Sequence, residues 1–457
     1  VFDLMAPSLF YMCQSIPMPF QIVTESATRS WLNFIMVRSY LQEGHSIPKA
    51  NESERVAGGM SWGKPGVYSN VSKWDAASYY PSTILKFDIY DKKKDPKGHY
   101  LQMVKYFTER RFEQKRKYKE TGDTYFNDMQ AASKVFINSA YGLLGTSGLN
   151  YNSFENASLI TRCCRKGLQK AIIWATGRPV EEWWEGYEEE QDFKSYDFID
   201  AKSHWSVDEM PKHNWELVNL DTDSLSFCKE DQSEWSSDEY QMIHEQINKI
   251  MYSEWEDDGS FERVLVLKAK NYSLLPKGSD KIKKKASSIT DSKKEPALLE
   301  MLDKMIEDLI HNDGEDLQGL YHDYILEVKN ITDINRWANK KNITSAVLNP
   351  TRTNEQKVLD ALNGRKVQEG DKVYMFSDID GERQKIVKGE PVFLKSGEPK
   401  MEPNNILRLV EDFSGSYDIE HYLKRVWMTV NILQTVVDIE EFTKYHLKRN
   451  LKLLEEL

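Results

Sequence analysis

The spacing of apolar and polar positions predicts long helices mixed with a few short strands. Helical spacing recurs in four segments, residues 19–42, 99–120, 124–141 and 154–178. Strand signals occur at 71–75, at 215–228 as two strands around a turn, and at 261–275 as one long strand. From residue 295 onward helices dominate, interrupted by a glycine-containing stretch of mixed charge near 364–400. Because helices and strands do not alternate regularly, the predicted fold class is α+β.

Composition excludes two broad classes of protein. Of the 457 residues, 40% are hydrophobic and 12% aromatic, which excludes a disordered chain. No run of 18 apolar residues occurs, which excludes a membrane span and a membrane partner. The four cysteines lack CxxC spacing and are interpreted as buried thiols of a reducing, cytoplasmic compartment; they are Cys13, Cys163, Cys164 and Cys228.

The charge is unevenly distributed along the chain. The formal net charge of −11 argues mildly against a nucleic-acid partner, but binding depends on where the charges lie. Acidic residues concentrate in 181–192 and 229–258, whereas 105–119 and 277–294 are basic. Either basic segment alone is more simply a solvated face. Together they favour a directed electrostatic surface, and the acidic segments are then faces that repel DNA.

The first motif with candidate chemistry is WDAASYYPSTI, residues 74–84. Asp75 ends a short strand just before a turn, and Pro81 biases the residue before it away from helix. A carboxylate at such a strand end is well placed to hold a metal ion. The alternative is a terminal aspartate that caps the next helix.

The second motif is SKVFINSAYGLLG, residues 133–145, in the predicted helix that Gly142 and Gly145 close. Gln130, Lys134, Asn138 and Tyr141 are spaced to form one polar stripe on that helix. Such a stripe can contact a phosphate, a base edge and a sugar. The alternative is an ordinary solvated helix face.

The third motif is VNLDTDSLSF, residues 218–227, with Asp221 and Asp223 in a strand–turn–strand segment. Two carboxylates in an apolar hairpin cost several kcal/mol unless a cation or hydrogen bonds compensate them. A divalent ion is one compensator, and an aspartate-rich turn is the alternative. Strand alternation does not predict on which face of the hairpin the Asp223 side chain lies, because alternation fails at a turn.

In this order, DAASYYPS, K-x3-NSAYG and DTDS resemble motifs A, B and C of family B DNA polymerases. KAKNY at 268–272 resembles the Lys-x-Tyr strand of the family. The segment 281–302 is similar to the replicative polymerases of tailed phages, and 354–376 to the thumb segment of the family. The resemblance spans roughly residues 65–380.

The resemblance implies a right-hand architecture with an antiparallel-sheet palm, short helical fingers and a mostly helical thumb. The corresponding segments are 1–90 for an N-terminal remnant and the first part of the palm, 91–145 for the fingers, 146–300 for the palm and 301–457 for the thumb. The C-terminal sequence HLKRNLKLLEEL is expected to be a helix of the thumb. The implied partners are primer-template DNA and deoxynucleoside triphosphates, in the host cytoplasm if the chain is viral.

The resemblance also assigns roles at the reacting end of the primer. Asp75, Asp223 and the backbone carbonyl of Ala76 would hold two Mg²⁺ ions, or Mn²⁺, with Asp221 as an accessory acid. Lys134, Arg111 and Lys115 would meet the triphosphate, together with the backbone amides near Ser78 and Tyr79.

Further roles concern the base pair and the DNA. Asn138 and Tyr141 would pack over the nascent base pair, and Tyr80 would lie under the sugar and exclude a 2′-hydroxyl. Contacts to the DNA backbone and minor groove would come from basic and aromatic residues on a strand and just after it, namely Lys268, Lys270, Tyr272, Lys283, Lys284 and Lys285.

Two residues depart from the family pattern, and one family domain has no counterpart. Tyr79 stands where the family usually has Leu, and no Gly precedes Asp221. The residues ahead of Asp75 contain no DxE acid pair, so proofreading is expected from a separate exonuclease subunit or from a missing N-terminal domain. Two other functions stay open, a non-catalytic DNA-binding subunit of a replication complex and a reverse transcriptase or RNA polymerase.

Overall fold

The computed structural model describes residues 9–10, 12–14, 16, 18–184, 195–285, 289–291, 293–387 and 390–440. The chain divides into two compact units, one of residues 1–62 and 70–261 and the other of residues 63–69 and 262–457. The predicted C-terminal helix at 446–457 lies outside the described residues, as do parts of the acidic segment 181–192 and of the basic segment 277–294.

The first unit contains an antiparallel sheet. Its strands are β1 (Ser61–Gly63), β2 (Gly66–Ala76), β3 (Glu216–Asp221), β4 (Ser224–Cys228) and β5 (Trp255–Lys268), of which β1, β2 and β5 continue into the second unit. The strands are neighbours in the order β1-β3-β4-β2-β5, and β4 runs antiparallel to both β3 and β2. This order puts the strand that ends at Asp75 directly beside the hairpin that carries Asp221 and Asp223.

The first unit also contains helices, one of which packs on this sheet. They are α1 (Phe20–Glu25), α2 (Thr28–Gln42), α3 (Tyr79–Lys86), α4 (His99–Thr121), α5 (Thr124–Leu144), α6 (Phe154–Thr176), α7 (Asp197–Asp200) and α8 (Ser237–Ile250). Every residue of α6 from Lys166 to Thr176 is buried, and the helix packs against β3 and β4. Its lysines are compensated, Lys170 by Asp200 at 2.6 Å and Lys166 by the ring of Tyr196 at 4.0 Å.

Local signals set the ends of the long helices. Helix α4 ends where Gly122 adopts a φ of +69°, and the Gly122 amide donates to the Tyr118 carbonyl at 2.9 Å. Asp123 then caps α5 by accepting from the Tyr125 amide at 2.9 Å. The helix continues through Gly142 and ends at Gly145. The predicted bounds of these helices are therefore confirmed within a few residues.

The prediction of one helix over 19–42 was wrong. Ser26 is extended, with φ −95° and ψ 154°, and separates α1 from α2. Its hydroxyl accepts a hydrogen bond from the indole of Trp31 at 2.8 Å, and Trp31 is buried. The hydrogen bond between Trp31 and Ser26 therefore accompanies a break between two helices, although the apolar spacing over 19–42 is continuous.

The second unit combines helices with small sheets. Its further strands are β6 (Asn271–Pro276), β7 (Lys283–Lys285), β8 (Asn339–Asn342), β9 (Lys372–Gln384), β10 (Ile386–Val387), β11 (Glu390–Pro391) and β12 (Met401–Leu409). Its helices are α9 (Pro296–His311), α10 (Leu317–Lys329), α11 (Ser345–Leu348), α12 (Thr353–Leu362) and α13 (Ile419–Val430). Strands β5, β6 and β7 are neighbours, and β12, β9 and β8 form a separate three-stranded sheet.

The single strand predicted over 261–275 is wrong. Strand β5 ends at Lys268, Lys270 has a left-handed φ of +61°, and β6 begins at Asn271. The side chain of Asn271 donates to the Ala269 carbonyl at 3.2 Å and stabilises this turn. Lys268, Lys270 and Tyr272 therefore do not share a face of one strand, because the polar KAKN sequence reverses the chain between two apolar runs.

The stretch near 364–400 interrupts the helices as predicted, but it forms strands that the sequence did not predict. It contains all of β9, which pairs antiparallel with both β8 and β12, and the antiparallel pair β10 and β11. Helices therefore do not dominate residues 339–409. The predicted α+β class is confirmed, because helices and antiparallel strands are mixed in both units. None of the helices in the described part of the chain has the length and hydrophobicity to cross a bilayer.

Candidate functional site

The hairpin between β3 and β4 places the two aspartates of the third motif. Its turn is tight, since the Asp223 amide donates to the Asp221 carbonyl at 2.6 Å around Thr222, whose φ is +63°. The Thr222 amide donates in turn to the Met60 carbonyl at 2.8 Å. A side chain at Gly59 would lie 2.7 Å from the Thr222 methyl group, so the chain passes this turn closely only because residue 59 is glycine.

The pairing of β2 with β4 brings Asp75 to this hairpin. Asp75 lies opposite Ser224, and the amide of Ala76 donates to the carbonyl of Asp223 at 2.8 Å. Asp75 and Asp223 both line one cavity of about 360 Å³. Residues 148 positions apart (223 minus 75) are thus neighbours at one end of the sheet.

Two helices supply cations to the same cavity. Arg111 and Lys115 lie one turn apart on α4, and Lys134 and Asn138 lie one turn apart on α5. The guanidinium of Arg111 donates to the hydroxyl of Ser78, and Lys115 forms an ion pair with Glu256 at 2.9 Å. Lys134 and Asn138 are exposed. The cavity therefore has carboxylates on its sheet side and cations on its helix side.

Ser78 connects strand β2 to helix α3 in an unusual backbone conformation. Its φ of 56° and ψ of 57° are left-handed, and its carbonyl accepts from the Ser82 amide at 2.9 Å. The turn also receives support from the sheet, because the Ala77 amide donates to the Glu254 carbonyl at 2.8 Å. Backbone strain of this kind persists where the surrounding structure imposes it, and such positions concentrate at ligand sites.

The two tyrosines of the first motif point in different directions. Tyr79 is buried in the core, its hydroxyl donates to the Cys164 carbonyl at 3.0 Å, and its ring stacks on Tyr252 at 5.7 Å. Tyr80 is only partly buried and packs on Tyr141, with 4.8 Å between the ring centroids. Tyr79 and Tyr80 both line the cavity, whereas Tyr141 does not.

The pKa of Asp223 is shifted because this carboxyl group is buried and lies close to the charge of Asp221. Burial, followed by the charge of Asp221, raises the pKa of Asp223, while Lys73 and Lys134 lower it. Burial lowers the pKa of Arg111, and Glu256 opposes this effect. Ionised Asp223 is therefore incompletely compensated by the protein, and the cavity favours an added cation.

The chemistry of the donor set fits Mg²⁺. Asp75, Asp223 and the Ala76 carbonyl are oxygen donors at one cavity, and Mg²⁺ takes few protein oxygens while keeping waters and substrate phosphates. Among the described residues, no group of three or more His, Cys, Asp or Glu side chains forms a ready metal cluster. Asp221 is not among the residues that line the cavity, and its carboxylate accepts from the Ser61 hydroxyl at 3.4 Å.

The sequence-predicted DNA-binding residues belong to the second unit. Lys268 ends β5 and is exposed, Lys270 lies in the turn, and Tyr272 is buried with 2% of its surface exposed. Tyr272 pairs with Lys285 across the β6–β7 ladder, and Lys284 forms an ion pair with Asp303 at 2.6 Å. Lys283 and Lys285 are exposed. Lys268, Lys283 and Lys285 are therefore accessible to solvent, whereas Tyr272 is not.

Sequence reasoning missed residues that the structure places at or beside the cavity. Glu256 and Phe112 line it, and Lys73 and Asp258 form an ion pair on the neighbouring strands β2 and β5. The available signal was the alternation of Glu254, Glu256 and Asp258 at every second position where β5 begins. The sequence alone indicates only an acidic surface that repels DNA for this segment.

Comparison with solved structures identifies a protein of similar fold. The chain is similar to the family B DNA polymerase from the hyperthermophilic archaeon Pyrobaculum calidifontis, with a TM-score of 0.62 and 18% sequence identity. The alignment covers 96% of this chain and 55% of that chain, so the chain spans little more than half the length of the archaeal protein. At this identity the similarity shows the fold alone.

Two sequence comparisons complete this result. The curated proteins contain no match to the chain. The model of DNA polymerase family B matches residues 86–367, which include the second and third motifs but not Asp75. Because this match covers more than half of the sequence, the chain belongs to DNA polymerase family B.

Proposed function

We propose that the chain catalyses template-directed DNA synthesis, adding deoxynucleotides to a primer 3′-hydroxyl with release of pyrophosphate. Membership of DNA polymerase family B supports this proposal. The observation that carries it is one cavity lined by Asp75 and Asp223 on the sheet side and by Arg111 and Lys134 on the helix side. Phosphoryl transfer needs this combination, because negative charge accumulates on the transferred group.

Asp75, Asp223 and the Ala76 carbonyl are the proposed ligands of two Mg²⁺ ions, which Mn²⁺ can replace. When bound, such ions supply Lewis acidity at the primer hydroxyl and neutralise the leaving pyrophosphate. The β2–β4 ladder holds the two carboxylates in register, and the Ala76–Asp223 hydrogen bond of 2.8 Å fixes their strand ends together. Asp221 acts as an accessory acid, because its charge adds to the negative potential at Asp223.

The proposed triphosphate contacts are Arg111, Lys115, Lys134 and the backbone near Ser78. Arg111 is positioned for this by its hydrogen bond to the Ser78 hydroxyl, which ties α4 to the strand end. Its Nε is buried without a hydrogen-bond partner among the described residues. Lys115 is paired with Glu256, so the triphosphate competes with a carboxylate for this ammonium group.

Asn138, Tyr141 and Tyr80 are the proposed contacts to the nascent base pair and the sugar. Asn138 is exposed on the same face of α5 as Lys134, so one helix face can contact both phosphate and base. Tyr80 packs on Tyr141, and this contact limits the movement of Tyr80 away from the cavity. A held ring at this position would exclude the 2′-hydroxyl of a ribonucleotide.

The palm, fingers and thumb bounds at 90, 145 and 300 remain predictions, as do the tailed-phage type, the cytoplasmic location and the exonuclease partner. DNA contacts from Lys268, Lys270, Tyr272 and Lys283–Lys285 are also proposed. Exposure supports them for Lys268, Lys283 and Lys285, whereas Tyr272 is buried and contributes to the core of its unit. If these lysines contact phosphates, the affinity for DNA falls steeply as salt rises.

Primer extension with Mg²⁺ tests the proposal. The unmodified chain should extend a primer, and Asp75→Asn and Asp223→Asn should each abolish extension while DNA binding persists. Asp238→Asn, an exposed change of equal charge in the first turn of α8, is the control and should retain activity. Absence of extension by the unmodified chain, even with a family exonuclease added, would favour the non-catalytic DNA-binding subunit. Efficient ribonucleotide use would favour an RNA polymerase or reverse transcriptase.

A further inference from the structure

An ion pair with a buried ammonium group links the strand of Asp75 to β5. Lys73 on β2 is only 4% exposed, and its ammonium group donates to the carboxylate of Asp258 on β5. Burial of an ammonium group requires such a partner, because desolvation of the charge is costly. Neither residue is among those that line the cavity.

Strand geometry directs Lys73 to the same face as Asp75. The two residues are two positions apart on β2, so their side chains share a face and their Cα atoms are about 7 Å apart. Lys73 lies opposite Ser226, and Asp75 lies opposite Ser224, which follows Asp223. A lysine side chain is long enough to reach either carboxylate from this position.

The ion pair is asymmetric in its exposure to water. Asp258 is 48% exposed, whereas Lys73 is almost completely buried. Loss of Lys73 would leave a hydrated carboxylate at little cost. Loss of Asp258 would leave a buried ammonium group without this partner, two positions from Asp75 on the same strand and opposite Ser226 on the strand that follows Asp223.

We propose that Asp258 is a positioning residue that holds the Lys73 ammonium group in an ion pair with β5 and so keeps its charge from competing with divalent cations at Asp75 and Asp223. The inference rests on the proposed function, because it takes Asp75 and Asp223 as the metal ligands. In this arrangement the ion pair with Asp258 fixes the position of the Lys73 ammonium group and therefore of its positive charge.

Mn²⁺ binding to the full chain, without DNA or nucleotide, tests the inference through the paramagnetic resonance signal of the free ion. Asp258→Asn should weaken Mn²⁺ binding by about fivefold or more, because Lys73 then competes for the carboxylates. Lys73→Met should bind Mn²⁺ at least as tightly as the unmodified chain. The double variant should return to within about twofold of the unmodified chain, because it removes the competing cation.

Asp257→Asn is the matched control. It makes the same charge change one position away on β5, where the side chain accepts a hydrogen bond from the Gly259 amide instead of pairing with Lys73. Its effect on the Kd for Mn²⁺ should be less than about twofold, since surface charges act weakly through solvent.

Three results would overturn the inference: equal weakening by Asp257→Asn and Asp258→Asn, weakening by Lys73→Met, or a double variant as weak as Asp258→Asn. If Asp258→Asn does not fold, Lys73→Met and the double variant still decide the question. Failure of the proposed function is distinguishable, because the unmodified chain would then bind Mn²⁺ no better than a variant with Asp75→Asn and Asp223→Asn.

Discussion

Substitution of Gly167 by Ala should destabilise the first unit, although alanine favours helix. A Cβ atom at position 167 would lie 2.3 Å from the hydroxyl oxygen of Tyr79, 3.1 Å from Tyr252 Cε1 and 3.3 Å from Met251 Cε. Tyr79 cannot move aside easily, because its ring stacks on Tyr252 and its hydroxyl donates to the Cys164 carbonyl. Glycine at this position of α6 thus makes room for a tyrosine where the family resemblance leads one to expect leucine.

The magnitude follows from three effects of the substitution. Alanine instead of glycine in a helix interior stabilises by about 1 kcal/mol. Overpacking a close-packed core costs about 1–3 kcal/mol, and the upper end applies because the obstructing atom belongs to a stacked ring. Displacement of the Tyr79 hydroxyl also loses a hydrogen bond worth about 1 kcal/mol. We therefore expect Gly167→Ala to lower the free energy of unfolding by about 2–3 kcal/mol.

A double-mutant cycle isolates the contact with the Tyr79 hydroxyl. Tyr79→Phe alone should cost about 1 kcal/mol through its lost hydrogen bond. In the Tyr79→Phe background, Gly167→Ala should be neutral within about 1 kcal/mol, because the atom at 2.3 Å is gone and the remaining contacts are 3.1 Å or longer. Gly142→Ala is the control, a helical glycine whose Cβ would meet only Arg29 at 3.5 Å, and it should not destabilise.

Urea unfolding followed by tryptophan fluorescence measures these differences. Ten of the twelve tryptophans lie in the first unit, so the signal reports mainly on the unit that contains Gly167. Equal destabilisation by Gly167→Ala in the unmodified chain and in the Tyr79→Phe background would refute the reasoning, because the cost would then not come from the hydroxyl. A stabilising Gly167→Ala in the unmodified chain would refute it as well.

Other outcomes follow from single contacts. Lys134→Ala should lower kcat for primer extension by about 100-fold or more with an unchanged Tm, because the ammonium group is exposed and is proposed to contact the triphosphate; an unchanged kcat would contradict this. Tyr80→Ala should raise ribonucleotide incorporation relative to deoxynucleotide by about tenfold or more in a competition assay. Burial alone would raise the pKa of Glu295, but the double hydrogen bond from Arg425 brings it below its usual value. Glu295 therefore stabilises the fold above about pH 4.5 and loses this contribution as the pH falls through its lowered pKa, so Glu295→Gln should destabilise by about 3–5 kcal/mol at pH 7 and by less in acid, as measured by urea unfolding.

Features encoded by neighbouring residues could be predicted from the sequence. The end of α4 at Gly122, the start of α5 after Asp123 and the hairpin around Thr222 each depend on one or two residues with strong conformational preferences. The turn at Lys270 escaped prediction because neither Ala269 nor Lys270 is a typical turn residue, and the apolar residues on both sides join into one apparent strand.

Features that depend on distant pairing could not be obtained from spacing alone. The registration of Asp75 against Ser224 is a contact between distant strands, and only the family resemblance indicated that the two motifs meet. The direction of Tyr79 is likewise set by Gly167, which lies 88 positions farther along (167 minus 79) and carries no signal of its own. The role of a glycine such as Gly167 becomes recognisable only when the side chain that packs against it is known.

The charge of a segment is a poor guide to the charge that a ligand meets, and this site shows the reason. Helix α4 contains the whole basic segment 105–119, but Lys105, Arg116 and Lys117 each lie within 4 Å of a glutamate one turn away. The acidic segment 229–258 in turn supplies Glu256 and Asp258, which pair with Lys115 and Lys73. The segment interpreted as repelling DNA therefore arranges cations beside the proposed metal ligands. The net charge of −11 does not oppose a nucleic-acid substrate, because local pairing decides which charges remain available to it.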